Sequence, residues 1–324
     1  MQSPLKTSVT GIHHVTAMAG DPQANVDFYA RVLGLRLVKR TVNFDDPDTY
    51  HLYYGDETGY PGTILTFFPW GASSLHGRIG AGQVSVTGFA IPAGSMDYWI
   101  GRLSARGVSF DGPAARFDET FVSFTDPDGI VLELVETGDA RHGWSNGDIP
   151  PEHAIRGFHQ ATLLLAAVES TIELLTGAMG FRSAGESGNR LRFASGDGAP
   201  GTLLDLAAEP DLRRGSMGVG VVHHIAFRAA TAADQLALSA VLSARGREVT
   251  PVIDRQYFHS IYFREPGGVL FEIATDTPGF PVDESVAELG THLKLPAWLE
   301  PDRVQIEAHL PSLALPASNN PPRR

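Results

Sequence analysis

The strongest constraint on the fold is a motif that occurs four times along the chain. Each copy starts with Pro-Gly or Pro-Asp-Gly and runs into an apolar strand with one polar residue five or six positions after the proline. Self-similarity of this kind is the signature of a chain assembled from repeated supersecondary units. The proline and polar residue of the four copies are Pro61 and Thr66, Pro127 and Glu133, Pro200 and Asp205, and Pro266 and Glu272.

Each copy is preceded by the same order of elements. A strand-like run comes first, a helix with apolar residues at three-to-four spacing follows, and a glycine after the helix leads into further strands. The repeated unit therefore reads as a βαβββ module, and a single module would leave one sheet face uncovered. We predict an α+β fold in which four modules pair into two domains, with mixed sheets curved around a cleft. The first strands are predicted at Ile12–Ala19, Val84–Ile91, Phe158–Leu165 and Val222–Arg228.

One stretch between the second and third modules has the composition of a linker. It contains Trp144, an Asn-Gly pair and two consecutive prolines, which are typical of turns and connections. We therefore predict an N-terminal domain of two modules at 1–140, a linker at 141–153 and a C-terminal domain of two modules at 154–276. The remaining residues, 277–324, are predicted to form a C-terminal extension with one helix at Pro301–Leu310 and a loosely ordered, proline-rich end.

Composition narrows the classes of function. With 25 basic and 37 acidic residues the chain carries a formal net charge of −12, which would repel nucleic-acid phosphates, so no nucleic-acid partner is predicted. There is no cysteine, so a metal site would have to use His, Asp, Glu or Tyr. The N-terminal residues lack the apolar stretch of a signal peptide, and no run approaches the roughly 18 apolar residues of a membrane span. We predict a cytoplasmic protein with no membrane partner.

Two histidine doublets occupy corresponding places in the first and fourth modules. His13-His14 and His223-His224 each lie in the first strand of a module, among apolar residues. A polar side chain is costly to bury without a partner, and a metal ion would satisfy several such side chains at once. Because side chains alternate between the two faces of a strand, we expect His14, His224 and Glu272 on the cleft face and His13 and His223 on the opposite face.

The pattern alone leaves three pairings of modules open: one with four, three with four, and two with three. The symmetry of the two doublets favours the pairing of one with four. Its set contains two His and one Glu with Thr66, which is not expected to ligate Fe(II), in the fourth place, so it is the open facial triad of non-haem Fe(II) oxygenases. The candidate sets, in the order given, are His14, His224 and Glu272; His159, His224 and Glu272 with Asp205 nearby; and Glu133, His159 and Asp205.

The fourfold βαβββ pattern resembles the vicinal oxygen chelate superfamily, which includes glyoxalase I, bleomycin resistance proteins and type I extradiol dioxygenases. Five segments are similar, more closely, to the hydroquinone 1,2-dioxygenase group. The resemblance runs over about residues 8–290, so it covers nearly the whole chain. The five segments are Ile12–Thr16, Phe44–Asp56, Arg156–His159, Val222–Ala226 and Tyr262–Glu272.

This resemblance implies an Fe(II) site and a set of pocket residues. The ligands of that group are the second His of each doublet and the Glu of the final strand, here His14, His224 and Glu272. Mn(II) is a second candidate metal because it prefers similar ligands. The pocket residues of the group fall on positions for which we expect catalytic roles, namely Tyr262, His13 and His223, and on positions expected to bind substrate, namely Thr16 and Arg255.

The implied function is a ring-cleaving dioxygenase that inserts both atoms of O2 into a hydroquinone-type para-diol. Its partners would be a small aromatic substrate and O2, and the formation of a homo-oligomer is left open. Two other functions also stay open: a glyoxalase-like, metal-dependent isomerase or transferase, and a non-catalytic protein that sequesters a planar aromatic toxin. A dioxygenase would consume oxygen, whereas the isomerase or transferase would not. A dioxygenase would also hold stoichiometric iron, whereas the sequestering protein would not.

Overall fold

The computed structural model describes residues 8–145 and 148–316. Within them the first strand of each module is followed by a helix and three further strands, as the sequence predicts. The strands are β1 (Ile12–Ala19), β2 (Arg36–Asn43), β3 (Asp46–Gly55), β4 (Ile64–Pro69), β5 (Gln83–Pro92), β6 (Phe110–Arg116), β7 (Glu119–Thr125), β8 (Val131–Thr137), β9 (Gly157–Leu165), β10 (Arg182–Ser187), β11 (Arg190–Ala194), β12 (Leu203–Ala208), β13 (Val221–Ala229), β14 (Ile253–Asp254), β15 (Phe258–Arg264) and β16 (Leu270–Pro278).

The helices are short, and the first and fourth begin at side-chain caps. The Asp21 side chain accepts hydrogen bonds from two backbone N–H groups at the start of the first helix, and the Thr231 hydroxyl caps the fourth in the same way. The helices are α1 (Pro22–Val26), which continues as a π-helical turn at Asp27–Val32, α2 (Met96–Ala105), α3 (Glu169–Gly177), α4 (Ala232–Ala244) and α5 (Arg303–His309), with 3-10 turns at Phe280–Val282, Val286–Glu288 and Glu300–Asp302.

The strands form two curved, mixed, eight-stranded sheets, which confirms the predicted α+β class. One sheet has the order β14-β15-β16-β13-β1-β4-β3-β2 and the other the order β10-β11-β12-β9-β5-β8-β7-β6. In every module the first strand pairs in parallel with the last, and the first strands of two modules pair antiparallel at the centre of each sheet. The cores of the modules therefore meet along β1 and β13 in one sheet and along β5 and β9 in the other.

The sheets combine modules that are not all neighbours in sequence. Modules one and four share the first sheet, and modules two and three share the second. The sheets group the modules differently from the predicted N-terminal pair at 1–140 and C-terminal pair at 154–276, and the domain boundaries themselves stay a prediction. Every module offers the same first-strand edge, and only the symmetry of the two histidine doublets favours a pairing, that of modules one and four, which the first sheet has. The segment 141–153 connects two modules of one sheet rather than two sheets.

The C-terminal extension packs on the outer strands of the first sheet. Lys39 of β2 is fully buried and its Nζ lies 2.5 Å from both Asp283 Oδ1 and Glu284 Oε2. The predicted helix at Pro301–Leu310 is confirmed as α5. The proline-rich end that the sequence predicts to be loosely ordered lies, from residue 317, outside the described residues, as do residues 1–7. No helix of the described chain has the length and apolar character to cross a membrane.

Candidate metal centre

Three side chains from three adjacent strands converge at the centre of the first sheet. His14 Nε2 on β1 lies 3.2 Å from His224 Nε2 on β13. Glu272 Oε2 on β16 lies 2.9 Å from His224 Nε2 and 3.3 Å from His14 Nε2. Atoms bonded to one ion at about 2.1 Å and at right angles to each other lie about 3.0 Å apart. The three atoms therefore have the spacing of ligands on one face of an octahedral ion.

The carboxyl group of Glu272 is ionised although it is buried. It is fully buried, and burial alone would raise its pKa, but the interactions with His14 and His224 outweigh that effect and hold the pKa well below its usual value. The Ser260 hydroxyl donates to Oε1, whereas Oε2, the atom facing the two imidazoles, has no hydrogen-bond partner. A buried acceptor without a donor is costly unless a cation satisfies it. The donor set of two imidazoles and one carboxylate fits a divalent metal such as Fe(II) or Mn(II).

A β-bulge at each histidine doublet changes the expected alternation. The register between β1 and β13 slips at His13 on one strand and at His223 on the other, so each strand has one extra residue beside its ligand. A bulge re-aims the side chains next to it. The rings of His13 and His14 are 5.1 Å apart and those of His223 and His224 are 5.0 Å apart. The expectation that His13 and His223 lie on the face away from the ligands is therefore wrong.

The first His of each doublet hydrogen-bonds to the second. His13 Nδ1 lies 2.9 Å from His14 Nδ1, and His13 Nε2 lies 3.1 Å from the carbonyl oxygen of Thr275, which can only accept. His13 therefore carries its proton on Nε2 and accepts at Nδ1 from His14, which leaves the His14 Nε2 lone pair for a metal. His223 Nδ1 lies 2.7 Å from His224 Nδ1, so His224 can donate from Nδ1 to His223 and keep its Nε2 lone pair for a metal.

A cavity of about 260 Å³ opens beside the three convergent side chains. Its other polar groups include Thr16, His223, Arg255 and Tyr262, all of which the sequence predicts at the pocket, whereas His13 is buried behind His14 and does not line it. Much of the remaining lining is aromatic, as suits a planar ring. The cavity-lining aromatic residues other than histidine are Phe44, Tyr53, Phe68, Trp70, Phe258 and Tyr262.

Arg255 and Tyr262 form one unit at the cavity wall. Arg255 Nε donates to the Tyr262 hydroxyl over 3.2 Å, and Arg255 Nη1 pairs with Asp45 Oδ2 at 3.1 Å. Burial, and next the nearby Glu272 charge, raise the pKa of Tyr262, although Arg255 opposes the shift. Tyr262 therefore keeps its proton at neutral pH and Arg255 stays a cation. This wall can hold an anionic oxygen and offer it a hydrogen bond.

Three further cavity-lining residues, His51, Tyr53 and Phe68, were given no role from the sequence. His51 and Tyr53 do lie in Phe44–Asp56, one of the segments that carry the family resemblance. The His51 ring packs in tilted orientation against Tyr53 at 4.0 Å and against Phe68 at 4.2 Å, measured between ring centroids. The available signal is the spacing of His51 and Tyr53, which lie two residues apart on one strand and therefore share a face.

The corresponding place in the second sheet is filled by ion pairs. Arg116 forms two hydrogen bonds with Glu133, and Arg192 Nε lies 2.7 Å from Asp205 Oδ1. Arginine cations thus occupy the positions that a metal would need. Among residues 8–145 and 148–316, the set of His14, His224 and Glu272 is the one cluster with the spacing of metal ligands, so the pairings that used Glu133, His159 and Asp205 are excluded.

The sequence profile of the glyoxalase/bleomycin resistance protein/dioxygenase superfamily matches residues 11–134 and 157–273, and the chain belongs to this superfamily. It is 50% identical over 301 residues to a protein of Bacillus subtilis (strain 168) named ring-cleaving dioxygenase MhqO, covering 93% of this chain and 95% of that one. It is 38% identical over 309 residues to the chlorohydroquinone/hydroquinone 1,2-dioxygenase of Sphingobium indicum, with 93% and 95% covered. These relatives support an oxygenase enzyme, as the sequence predicts.

Solved structures agree with this assignment. A crystal structure from Bacillus subtilis, described as that of a dioxygenase, superposes with a TM-score of 0.92 at 49% identity and covers 95% of this chain and 99% of its own. Glyoxalase I from Zea mays superposes with a TM-score of 0.62 at 16% identity, covering 82% of this chain and 92% of its own. The second likeness shows the shared fold alone.

Proposed function

We propose that the protein is an Fe(II)-dependent dioxygenase that cleaves the ring of hydroquinone-type para-diols. The observation that carries the proposal is the set of three convergent ligand atoms, His14 Nε2, His224 Nε2 and Glu272 Oε2, beside an aromatic-lined cavity. Three protein ligands leave coordination positions free, as an oxygenase requires. The hydroquinone substrate is inferred from the relative that is named for chlorohydroquinone and hydroquinone.

Three ligand residues would hold the metal, and other residues would orient the substrate. Bound Fe(II) supplies the redox chemistry with O2 and lowers the pKa of a coordinated phenol. A para-diol has its two hydroxyls at opposite ends of the ring, so one metal cannot chelate both and protein groups must fix its orientation. Thr16 lies beside the ligand cluster, because Thr16 pairs in register with His224, while Arg255 and Tyr262 form another part of the cavity wall.

The surroundings of the cavity-lining groups set their protonation states. Tyr262 keeps its hydroxyl proton and is suited to donate it to an oxygen that gains negative charge. Burial, and then the neighbouring His224, lower the pKa of His223 to about 3, so its ring is neutral. When His224 donates from Nδ1, His223 must accept at Nδ1 and carry its hydrogen on Nε2. His223 is therefore a neutral hydrogen-bond donor at the cavity, and the Arg255 cation can bind an anionic oxygen.

Oxygen consumption with metal analysis tests the proposal. The protein is purified without oxygen, loaded with Fe(II) or Mn(II), and mixed with a panel of hydroquinones and catechols. The expected result is uptake of one O2 per ring, with both atoms found in the product by mass spectrometry. His224→Ala should abolish both uptake and stoichiometric metal, whereas His309→Ala, which alters an exposed histidine, should change neither.

The alternative functions give different outcomes in the same experiment. An isomerase or transferase of the glyoxalase type would consume no oxygen with any phenol and would retain its metal. A sequestering protein would bind the aromatic compound without stoichiometric metal, and His224→Ala would leave that binding intact. Either pattern refutes the dioxygenase proposal.

A further inference from the structure

A chain of hydrogen bonds runs through four side chains along the cavity wall. The Tyr53 hydroxyl lies 2.7 Å from His51 Nδ1, and His51 Nε2 lies 2.8 Å from Thr66 Oγ1. Thr66 Oγ1 in turn lies 2.9 Å from Thr16 Oγ1. The strand register produces this arrangement, because Thr66 pairs with Thr16 on one side and with Tyr53 on the other. The chain therefore crosses three adjacent strands of the first sheet.

The number of hydrogens in the chain exceeds the number of bonds. A neutral imidazole carries one N–H hydrogen and each of the three hydroxyls carries one O–H hydrogen, so four hydrogens are available for three bonds. One hydrogen is left over, at Thr16 or at Tyr53, depending on the direction in which the bonds run. Thr16, His51 and Tyr53 line the cavity, and Thr66 is fully buried behind it. Both ends of the chain thus lie at the cavity.

His51 lies in the middle of the hydrogen-bond chain, where its ring is uncharged. Burial lowers its pKa well below the usual value, and the nearby His14 and His224 act in the same direction. A neutral ring can donate from either nitrogen and accept at the other. It can therefore reverse its direction without acquiring a net charge.

We propose that Tyr53, His51, Thr66 and Thr16 form a proton relay, in which His51 and Thr66 are positioning residues. The inference rests on the proposed function, because the proton that enters is the one that a phenol loses when it binds metal. Two charged groups of the cavity are less suited to accept that proton, because the Glu272 carboxylate faces the ligand histidines and Arg255 is a cation that donates to Tyr262.

The transfers balance along the chain. The substrate O–H bond breaks as its proton binds Thr16 Oγ1, and the Thr16 hydrogen passes to Thr66. The Thr66 hydrogen passes to His51 Nε2, the Nδ1 hydrogen passes to the Tyr53 oxygen, and the former Tyr53 hydrogen leaves to water in the cavity. Each side chain gains one bond to hydrogen and loses one: each hydroxyl oxygen does both, whereas the His51 ring gains a hydrogen at Nε2 and loses one at Nδ1. After these transfers the hydrogen bonds of the relay point in the opposite direction. Their original direction is restored when a proton returns by the reverse route to the ring-opened product.

Thr66 is the best position for the test, because it does not line the cavity. Thr66→Val removes the middle hydroxyl at nearly constant volume, and Thr66→Ser restores it. The matched control is Thr87→Val in the second sheet, where the buried threonine hydroxyl has no hydrogen-bond partner. Tyr53→Phe removes the far end of the chain and is a second variant that breaks it at a different place.

Steady-state kinetics of the Fe(II)-loaded enzyme is the first measurement. Thr66→Val is expected to lower kcat about 100-fold, the typical effect of losing a positioned proton-transfer group, with KM nearly unchanged and a smaller solvent deuterium isotope effect. Thr66→Ser should restore most of the rate, and Thr87→Val should retain it. The Tyr53→Phe and Thr66→Val effects should not add, because both break one chain. Wild-type kcat in Thr66→Val, or a Thr66→Ser enzyme as slow as Thr66→Val, would overturn the relay.

Nitrogen NMR of ¹⁵N-histidine-labelled, zinc-loaded protein provides a readout without turnover. His51, assigned with a His51→Asn variant, is expected to be neutral with hydrogen bonds at both nitrogens. Thr66→Val should shift the Nε2 signal, and Thr87→Val should not. An unchanged His51 spectrum in Thr66→Val would refute the hydrogen-bond chain. If the chain is present but wild-type protein consumes no oxygen with any diol, the proposed function fails instead.

Discussion

Lys39 offers a test of how the C-terminal extension is held, independent of the metal. Its ammonium group is fully buried, and it lies 2.5 Å from carboxylate oxygens of both Asp283 and Glu284. The Glu284 side chain is 3% exposed and that of Asp283 is 18% exposed, so water screens this pair of contacts only weakly. Lys39→Met removes the cation while keeping an apolar stem of similar length. Two carboxylates then remain in a site built around a positive charge.

The magnitude follows from the burial of the charges. Removing one partner of a buried ion pair costs about 3–5 kcal/mol, because the remaining charge is left without compensation. We therefore expect Lys39→Met to lower the free energy of unfolding by about 3 kcal/mol or more. Replacing all three charges, as Lys39→Met with Asp283→Asn and Glu284→Gln, should recover most of this loss. Arg303→Met removes a partly exposed cation whose partners are the exposed Glu300 and Glu307, and it should cost at most about 1 kcal/mol.

Urea denaturation of the metal-free protein, followed by tryptophan fluorescence and far-UV circular dichroism, measures these differences. A Lys39→Met variant within the range of Arg303→Met would refute the reasoning, and so would a triple variant no more stable than Lys39→Met.

The loss of Lys39 should also affect the candidate metal centre. Lys39 lies 5.0 Å above the Tyr257 ring, and the neighbouring Phe258 ring lies 5.0 Å from the rings of both His13 and His14. Loosening the extension should therefore also weaken metal binding.

Three further predictions concern single side chains. Burial raises the pKa of Asp126 from 3.8 to about 6, so the native state binds this proton more tightly than the unfolded state does. The free energy of unfolding therefore falls as the pH rises between these two values. Asp126→Asn should remove that loss and stabilise the protein at pH 7 by up to about 3 kcal/mol, as measured by denaturation at several pH values. His13→Ala should weaken metal binding by about 10–100-fold in competition with a chelator, because His14 loses the acceptor that fixes its tautomer, and unchanged affinity would contradict this role. Arg255→Met should raise KM for the diol more than Arg255→Lys does, since both the charge and the hydrogen bond to Tyr262 are lost, and equal KM values in steady-state kinetics would contradict it.

The candidate metal ligands could be proposed from the sequence because their signal is local and repeated. His14 and His224 occur in doublets at corresponding places of two modules, and Glu272 interrupts an apolar strand after a Pro-Gly-Gly turn. Burial of such groups is costly without a partner, so their pattern indicates a shared cation, and the symmetry of the doublets favours this set among the three that the pattern leaves open. The structure places these three side chains together, and the superfamily match agrees with the fold that the pattern implies.

The position of the histidines beside those ligands could not be predicted in the same way. Strict alternation puts His13 and His223 on the far face, but a β-bulge at each doublet turns both rings toward the ligands. A bulge depends on the register of two strands that are more than two hundred residues apart in sequence. No local pattern specifies that register. The chain of Tyr53, His51, Thr66 and Thr16 depends on cross-strand register for the same reason.

The repeated βαβββ unit, the α+β class and the residue types of the candidate metal centre can be read from the sequence alone, because periodicity, turn residues and buried polar groups act over short distances. The tertiary structure decided which modules share a sheet, which rings lie beside the ligands and which aromatic side chains close the cavity. Each module carries an equivalent first-strand edge, so several pairings are compatible with the local pattern. Only the packing of the complete chain, in which β1 meets β13 and β5 meets β9, selects one of them.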